Sequence, residues 1–555
     1  MEEPHATTEA RVRRVAGVAV TLPAPSTSRP APFLDRLLPI SPTRARRRVE
    51  AALASAFVVG LLFVMMAARP YNHDDELYVT AGVLARHLTL YRDFAYNQTP
   101  LYPLVLSAVF GFLDGHYYLA GRLVSLALAL VAVALGWFIA TRTTGSSRLG
   151  LVVPLLFATS TTIQSAVGCA RNDVLPWSLM LGTVAAVLCG WGARERRGVA
   201  AWMMAAGVLA SLSLSSKQTY LFVPAGTLLY LLLAPRVPHR GAAVLAFAAG
   251  GTVGALVDLY YLLVAGETFV YQLFRYNLVV LHDWYTRVGE ADEFTLGGRL
   301  FSAGRSFVRD GVAPAALVCV VAVLATARWS GTRLALGRFL ATPVGYLTVL
   351  CLLALPCSWA PSPSHPQYFL PTFALGTLIA VSMLGIHPPS SLTGRALAAL
   401  VLVLGMTVGT GRALTFVPNA VSPSSWVATQ LHADGLAIRA GAGGEHVCVA
   451  TLSPLRPLDV GLSIVPELAS GPFLFRSGDA VDREHLERMH GTSPSRLADL
   501  LDRRRPGAIL LGFEDGWSIL PDAPLRDYAR ERGFRPGPPV GEVWYADGPG
   551  IGCVR

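Results

Sequence analysis

The densest group of acidic side chains in this chain follows its first hydrophobic segment. Asp74, Asp75 and Glu76 are consecutive, within a stretch of acids, tyrosines and short apolar runs at residues 71–104. Carboxylates at a membrane surface are costly to desolvate and usually serve a function. Adjacent carboxylates also repel each other, which raises the pKa of one of them and suits it to accept a proton. The alternative is that these acids only cap a helix that begins near residue 76.

Polar side chains also occur at three later breaks between hydrophobic segments. They are Arg171 and Asp173, Lys217 and Gln218, and the segment 358–368 with His365 and Tyr368. Lys217 is the only lysine among 46 basic residues. A lysine in such a chain favours a site that needs a compact ammonium charge rather than a planar guanidinium, although a chance position at a helix end explains it equally well.

The composition places these residues in a multi-pass membrane protein. Of 555 residues, 53% are hydrophobic and 15% are charged, against roughly 25% charged residues in a soluble domain. We read about eleven apolar runs long enough to cross a hydrocarbon core. The runs are residues 51–69, 119–140, 149–168, 174–192, 199–215, 219–234, 242–264, 310–327, 338–356, 367–385 and 395–413.

The arginines predict the orientation, because cytoplasmic connections keep positive charge. Four arginines precede the first run, at positions 44 and 46–48, and every even-numbered connection carries at least one more, with Arg148, Arg197 and Arg240 among them. The N-terminus is therefore expected in the cytoplasm and the C-terminus outside it. The net charge of +10 reflects this topology and not a nucleic-acid surface, since the basic residues do not interleave with aromatic residues on one face.

The chain divides into three regions. Residues 1–43 are rich in Pro, Ser, Thr and Ala and predict a disordered cytoplasmic tail. Residues 44–414 predict a polytopic α-helical membrane domain whose first outer loop, residues 70–118, forms a lid or floor over a cavity at the membrane boundary. Residues 415–555 show soluble patterning and predict a small extracytoplasmic α/β domain. Its expected strands are 446–452, 507–513 and 542–547, and its expected helices are 496–505 and 524–534.

Two of the seven cysteines, Cys448 and Cys553, fall in the predicted exterior domain. An oxidising compartment would allow them to form a disulfide, but the sequence does not fix the separation of their Cα atoms. No His or Cys spacing in the chain suggests a zinc site.

Several motifs together resemble the membrane-embedded GT-C glycosyltransferases. They are Asp75-Glu76, Tyr78, Gly82, the segment 90–93 with Asp93, Thr99-Pro100-Leu101, Arg122, Arg171, Asp173, Lys217-Gln218 and the segment 365–371. The nearest branch is that of the protein O-mannosyltransferases and the aminoarabinose transferase of lipid A, similar to glycosyltransferase family 39. The resemblance covers roughly residues 51–414. The proline pair of the family appears here as Thr99-Pro100, a departure in the first loop.

The resemblance implies transfer of a hexose or pentose from a polyprenyl-phosphate donor to a glycan, lipid or protein acceptor outside the cytoplasmic membrane. Independent logic agrees, because nucleotide sugars are absent from that compartment and a donor has to come from the membrane lipids. In such a reaction an acceptor hydroxyl attacks the anomeric carbon, a carboxylate takes the proton and the lipid phosphate leaves.

The base of the family matches Asp75, with Glu76 as its neighbour. Asp74 is the rival base, because adjacent carboxylates on a turn point in different directions. Paired acids could also hold Mg²⁺ or Mn²⁺, but no metal ligand is assigned.

The leaving phosphate needs cations near the interface. The candidates by charge and side are Lys217, Arg171, Arg122 and Arg275, with headgroup contact as the alternative for each arginine. Asp173 would orient Arg171 or the acceptor, or cap a helix. His365 and Tyr368 would line the donor cavity, although interfacial tyrosines are also common as an aromatic belt. Tyr78, Asp93 and Gln218 complete the candidate donor- or acceptor-binding residues.

Two other classes of function fit a multi-pass protein with charges near its helix ends. A secondary transporter is the main alternative, but we find no internal repeat and no matching pair of broken helices. A non-catalytic receptor would not explain the acids of the first loop. Convergence of the acids, Lys217 and His365 on one outer cavity would favour a transferase, whereas a site at the midplane would favour transport.

The orientation makes a direct prediction for reporter fusions. Fusions after Arg148, Arg197 and Arg240 should report the cytoplasm, and a fusion at residue 480 should report the exterior. A cytoplasmic signal at residue 480 would remove one crossing and separate the proposed site residues onto two sides of the membrane.

Overall fold

The computed structural model describes residues 44–329, 336–361, 363–442, 444, 446–512, 521–537, 542–550 and 553. The predicted cytoplasmic tail, residues 1–43, lies outside the described residues. Within them, a large helical region is followed by a small sheet.

The described helices confirm a multi-pass membrane protein. Six are long and apolar enough to cross a membrane alone: Ala45–Ala68, Tyr117–Thr144, Val174–Gly192, Arg196–Ser216, Pro366–Ile386 and Leu392–Ala420. Three bent pairs raise the possible number of described spans to nine: Ser147–Thr159 with Thr161–Val167, Arg240–Gly254 with Leu256–Arg287, and Leu296–Asp310 with Val312–Thr326. A total of about eleven spans stays a prediction, since it also requires the shorter apolar helices Gln218–Leu233 and Pro343–Trp359 to cross.

The third bent pair contains a helix that the sequence analysis did not identify. Leu296–Asp310 meets the next helix at 88°, and the turn is made by Gly311 at φ +73°. Leu300, Phe301 and Val308 on this helix are exposed, while arginines occupy other positions. Exposed apolar side chains beside cationic ones are typical of a helix that lies in the membrane interface.

The first outer loop folds as two short helices, Asp74–Leu84 and Leu101–Phe110. The sequence predicts an amphipathic helix over residues 75–88 and a short apolar surface helix over 101–113, and each helix ends a few residues earlier than that. The two helices pack closely, because a Cβ added at Gly82 would lie only 2.7 Å from the Leu106 Cβ. Tyr96 and Tyr102 are buried beneath them, so the loop has its own aromatic core.

The C-terminal region contains a five-stranded sheet of order β2-β1-β3-β5-β4. The strands are β1 Cys448–Thr451, β2 Ser463–Ile464, β3 Pro506–Leu511, β4 Arg535–Gly537 and β5 Glu542–Gly550. Strand β1 is parallel to β2 and β3, whereas β5 is antiparallel to β3 and β4. The helices of this region are Val427–Gly441, Leu455–Leu458, Pro472–Ser477, Arg483–Arg488, Leu497–Arg504 and Ala523–Glu531.

The α/β character expected from the sequence is therefore confirmed. Cys448 and Cys553 form a disulfide with Cα atoms 5.5 Å apart, which resolves the pairing that the sequence left open. The expected boundary after residue 414 falls inside the helix Leu392–Ala420, so a single helix continues from the membrane region toward the α/β region. We call the described residues from 427 onward the exterior domain, after the location that the sequence predicts for them.

Candidate active site

The first outer loop and two later span ends meet in a cluster of alternating charges. The Arg171 guanidinium donates from Nη2 to Asp173 Oδ2 at 2.7 Å and from Nη1 to Asp74 Oδ2 at 2.7 Å. Lys217 forms an ion pair with the other oxygen of Asp173. Such charge-assisted hydrogen bonds are roughly twice as strong as neutral ones. We call Asp74, Arg171, Asp173 and Lys217 the charge cluster.

Most of the charge cluster is removed from solvent. The side chains of Arg171 and Lys217 are each 8% exposed, that of Asp173 is 1% exposed, and that of Asp74 is 29% exposed. Burial alone would raise the pKa of Asp173, but Arg171 and Lys217 outweigh it and lower this pKa to about 2. Burial opposes Arg171 at Asp74 as well, and the net pKa of Asp74 is lowered. Both carboxylates are therefore ionised at neutral pH.

Tyr368 and His365 lie beside the charge cluster. The Lys217 Nζ is 4.8 Å from the centroid of the Tyr368 ring, a cation–π distance, and the rings of His365 and Tyr368 are 5.9 Å apart. Burial lowers the pKa of His365, against the opposing charge of Asp74. The neutral imidazole can both donate and accept a hydrogen bond.

The three consecutive acids of the loop contact different parts of the structure. Consecutive residues of a helix point about 100° apart, so Asp74, Asp75 and Glu76 cannot face one site. Asp74 joins the charge cluster and is the only one of the three with substantial exposure. Asp75 is 0% and Glu76 is 1% exposed.

Asp75 belongs to a buried network at the start of the helix Tyr117–Thr144. Tyr118 donates its hydroxyl hydrogen to Asp75 Oδ2 at 2.7 Å, and Arg122 Nη2 donates to the Tyr118 hydroxyl oxygen at 2.6 Å. The same Arg122 nitrogen lies 3.8 Å from Asp75 Oδ2. Burial raises the pKa of Asp75, and Arg122 opposes that rise.

Glu76 faces the exterior domain. Arg456 Nη1 donates to Glu76 Oε1 at 3.2 Å, and the Arg456 guanidinium lies over the Tyr71 ring, 4.9 Å from its centroid. Burial raises the pKa of Glu76 to about 7, against the charge of Arg456. The contact joins the catalytic loop expected from the sequence to a helix of the exterior domain.

Four further predicted site residues make their contacts outside the charge cluster. Arg122 is 1% exposed and donates to the carbonyl oxygens of Met66 and Arg69, each at 3.0 Å, and its contact with a lipid phosphate stays a prediction. Asp93 pairs with its neighbour Arg92 at 2.9 Å and accepts from a backbone N–H within the loop.

Gln218 donates to the Leu273 carbonyl oxygen at 3.0 Å, away from the cluster. Tyr78 packs in the aromatic core of the loop, with its ring 5.9 Å from that of Tyr102. Arg275, the remaining candidate cation, is exposed and lies over the Tyr271 ring at 5.6 Å. These are packing and surface contacts, and the part of Gln218, Tyr78 and Arg275 in binding the donor or acceptor stays a prediction.

A cavity of about 600 Å³ has His365 in its wall. It lies between the interfacial helix Leu296–Asp310, the helix Thr161–Val167 and the long helix Leu392–Ala420. Its lining residues are Thr161, Thr162, Ser165, Ser302, Arg305, Ser306, Arg309, Ser364, His365, Pro366, Val408 and Arg412. We call this the arginine cavity. His365 connects it to the cluster, because His365 lines the cavity and interacts electrostatically with Asp74 and Lys217.

The arginines of this cavity are available to an anion. Arg412 Nη1 donates to the Thr161 carbonyl oxygen at 3.0 Å and to the Ser165 hydroxyl at 2.9 Å. Within the described part of the chain, neither the Arg305 nor the Arg309 guanidinium has a hydrogen-bond or ion-pair partner. The sequence analysis does not predict Arg305 and Arg309 as site residues. The signal that could have identified them is the mixture of arginines and apolar residues at 296–310, which is typical of an interfacial helix.

The geometry of the acids disfavours a divalent cation in the charge cluster. Asp74 and Asp173 are the two carboxylates of the cluster. The Arg171 guanidinium lies between them and donates to both. A Mg²⁺ or Mn²⁺ ion bound by both would have to displace that guanidinium. Asp75 and Glu76, the pair suggested by the sequence, belong to separate networks and do not share a site.

Structural comparison reveals a likeness to membrane glycosyltransferases. ArnT from Cupriavidus metallidurans in the apo state matches with a TM-score of 0.56 and 13% identity, over 90% of this chain and 98% of that chain. The same protein bound to undecaprenyl phosphate gives 0.54 and 13%, over 89% and 97%.

The oligosaccharyltransferase of Archaeoglobus fulgidus in its apo form matches with a TM-score of 0.50 and 13% identity, over 83% of this chain and 70% of that chain. The amino-acid sequence matches no protein-family model and no curated relative. The resemblance noted in the sequence is therefore confirmed at the level of the fold, which this chain shares with these structures.

The charge cluster predicts a large loss of stability when Asp173 is neutralised. Asp173→Asn would leave two buried cations without their shared anion, and breaking such a pair costs about 3–5 kcal/mol. Thermal unfolding of the purified protein in detergent at pH 7 should show a clearly lower midpoint for this variant. Asp283→Asn, at an exposed carboxylate, is the matched control and should leave the midpoint unchanged.

The difference should also depend on pH in one direction. Because the folded-state pKa of Asp173 is lowered to about 2, its contribution is complete above the ordinary aspartate pKa of about 4 and is lost as the pH falls toward 2. Equal midpoints for wild type and Asp173→Asn at pH 7 would contradict this account of the cluster.

Proposed function

We propose that this protein transfers a sugar from a polyprenyl-phosphate carrier to an acceptor at the outer face of the cytoplasmic membrane. The observation that carries the proposal is the juxtaposition of a partly exposed carboxylate, Asp74, with the arginine cavity on a GT-C fold. A carboxylate that can accept a proton and cations that can stabilise a departing phosphate are the two groups that this reaction needs.

Asp74 is the proposed general base. A base has to come within about 3 Å of the hydroxyl that it activates, and of the three consecutive acids only Asp74 has an accessible side chain. Its lowered pKa keeps it ionised and able to accept the proton. Asp75, the base suggested by the family motif, is fully buried against Tyr118 and Arg122, and its role as base stays an untested prediction.

The arginine cavity is the proposed site of the donor phosphate. Lys217 and Arg171, the cations expected from the sequence, already pair with Asp173, whereas Arg305 and Arg309 face the cavity without such partners. Arginine forks bind phosphate oxygens in a bidentate manner. The exposed apolar residues of the same interfacial helix would let the polyprenyl chain remain in the membrane while its phosphate enters the cavity.

The reaction follows from this placement. The acceptor oxygen attacks the anomeric carbon, and its proton passes to an Asp74 oxygen. The bond between the anomeric carbon and the phosphate oxygen breaks, and its electron pair leaves with the phosphate, whose charge Arg305 and Arg309 stabilise. Lys217 and Arg171 hold Asp74 and Asp173 in place, and Lys217 remains the candidate for a further contact with the donor.

The exterior domain is proposed to position the acceptor. Its Arg456 contacts Glu76, the last of the three consecutive acids, so the domain packs directly against the loop. The chemistry can be assigned to the membrane region alone, which leaves the exposed surface of the domain for the acceptor. The orientation with this domain outside the cytoplasm belongs to the same proposal.

The assignment of Asp74 rather than Asp75 as the base predicts different results for the two asparagine variants. Asp74→Asn should reduce turnover by about 10²-fold or more, the scale of a general base, without lowering the unfolding midpoint much. Asp75→Asn should mainly lower the midpoint. The assay measures label that moves from lipid-linked sugars, extracted from the native membrane, to envelope acceptors.

Asp114→Asn is the matched control, because Asp114 is an exposed acid of the same loop outside the charge cluster. Turnover should persist until the pH falls below the ordinary aspartate range of about 4, since Arg171 keeps the pKa of Asp74 low. Normal turnover in Asp74→Asn combined with a well-folded but inactive Asp75→Asn would return the role of base to Asp75.

The arginine cavity predicts a loss of donor affinity. Replacing both Arg305 and Arg309 with glutamine should weaken binding of polyprenyl phosphate by about 10-fold or more, because a hydrogen bond to a charged group contributes about 1.5–3 kcal/mol. Arg299→Gln, on the same helix but outside the cavity lining, should bind as wild type. Equal affinities for all three proteins would exclude this cavity as the phosphate site.

A further inference from the structure

A second cluster of titratable side chains lies where the exterior domain meets the start of the helix Tyr117–Thr144. It consists of His116, which is exposed, His432, which is partly buried, and Asp459, which is buried. The two imidazole rings are stacked, with centroids 3.7 Å apart and planes at 21°. His432 Nδ1 lies 2.8 Å from Asp459 Oδ2. None of these residues takes part in the proposed transfer reaction.

The three side chains present their ligand atoms to a common point. One nitrogen from each histidine and one oxygen of Asp459 lie within 4.8 Å of one another. The ligands of a tetrahedral zinc ion, bound at about 2.0–2.2 Å, are roughly 3.5 Å apart, so small side-chain rotations would close the site. Two imidazoles and a carboxylate suit Zn²⁺ and do not suit Mg²⁺ or Ca²⁺, which prefer oxygen ligands.

We propose that His116, His432 and Asp459 bind a Zn²⁺ ion that fastens the exterior domain to the membrane region. The fourth position would be open to water on the exposed side of His116. Zinc bound at His432 Nδ1 would replace the hydrogen bond to Asp459 and leave the proton on the other ring nitrogen. The site goes beyond the proposed sugar transfer and does not depend on it.

The surroundings of Asp459 support a ligand role. Its second oxygen, Oδ1, accepts from the Tyr118 backbone N–H at 2.9 Å, and its carbonyl oxygen accepts from the His116 backbone N–H at 3.2 Å. Metal-binding carboxylates are usually oriented by such outer hydrogen bonds.

The site would also act on the first outer loop through Tyr118. The backbone of Tyr118 is bound to Asp459, and its hydroxyl donates to Asp75 at 2.7 Å. Zinc would therefore fix Tyr118 from one side and help to hold the helix that carries the acids. The sequence could not reveal this site, because His116 and His432 lie far apart in the chain and no spacing motif connects them.

The test uses the full-length protein, purified in detergent with an affinity tag that contains no histidine. The protein is stripped with a chelator and titrated with Co²⁺ and then with Zn²⁺. We expect about one Co²⁺ ion per chain, with the intense visible absorption of a tetrahedral site, and displacement of this signal by Zn²⁺. Zn²⁺ should also raise the unfolding midpoint, because it binds the folded state.

Variants at the two histidine ligands separate metal binding from folding. His116→Ala and His432→Ala should each weaken Co²⁺ binding by at least about 10-fold, and the Zn²⁺-dependent rise of the midpoint should disappear. His116→Asp retains a ligand and should recover part of the affinity. His446→Ala, at an exposed histidine of the same domain, should behave as wild type. Absence of the Co²⁺ spectrum in wild type, or an unchanged spectrum in both alanine variants, would overturn the proposal.

Discussion

The buried carboxylate of Asp173 is the constraint on which the arrangement of the outer face depends. It lies immediately before the helix Val174–Gly192 and binds Arg171 on one side and Lys217, at the end of the helix Arg196–Ser216, on the other. Arg171 in turn reaches Asp74 in the first outer loop. Removing a buried anion leaves its cations uncompensated, which is far more costly than losing a surface ion pair. One side chain thus fixes the ends of three segments that are distant in sequence.

Helix geometry then divides the acids of the loop among three tasks. The turn of about 100° between consecutive residues directs Asp74 to the charge cluster, Asp75 to Tyr118 and Arg122, and Glu76 to Arg456. Asp75 consequently anchors the loop to the helix Tyr117–Thr144, and Glu76 anchors it to the exterior domain. Asp74 remains partly accessible to solvent. This division explains how a chain can hold three adjacent carboxylates without placing them against one another.

Much of this arrangement could be predicted from composition and local pattern. Long apolar runs, the acids after the first span, the buried strands near residues 449 and 509 and the helix at 497–504 all depend on short-range signals, and each is present in the structure. Lys217 and Asp173 were also expected at the site, because their types and positions at span ends were unusual.

Features that depend on three-dimensional contacts were harder to predict. The sequence predicts Arg122 as a phosphate ligand, whereas in the structure its guanidinium donates to carbonyl oxygens at the end of the first helix. Arg305 and Arg309 were missed because only the 88° bend at Gly311 brings them beside His365. The preference for Asp74 over Asp75 depends on helical phase within one turn, which sequence patterns define only to within a residue or two.

The central claim is that the charge cluster and its neighbouring cavity transfer a sugar from a lipid phosphate. Mass spectrometry of lipids, glycans and glycoproteins from the cell envelope of a deletion strain, complemented with wild type or Asp74→Asn, tests it most directly. The account predicts that the deletion strain and the Asp74→Asn strain accumulate a polyprenyl-phosphate sugar and lose that sugar from an envelope acceptor, and that wild type restores both. Unchanged lipid-linked sugars and unchanged acceptors in the deletion strain, tested under conditions in which the wild-type protein is produced, would contradict it.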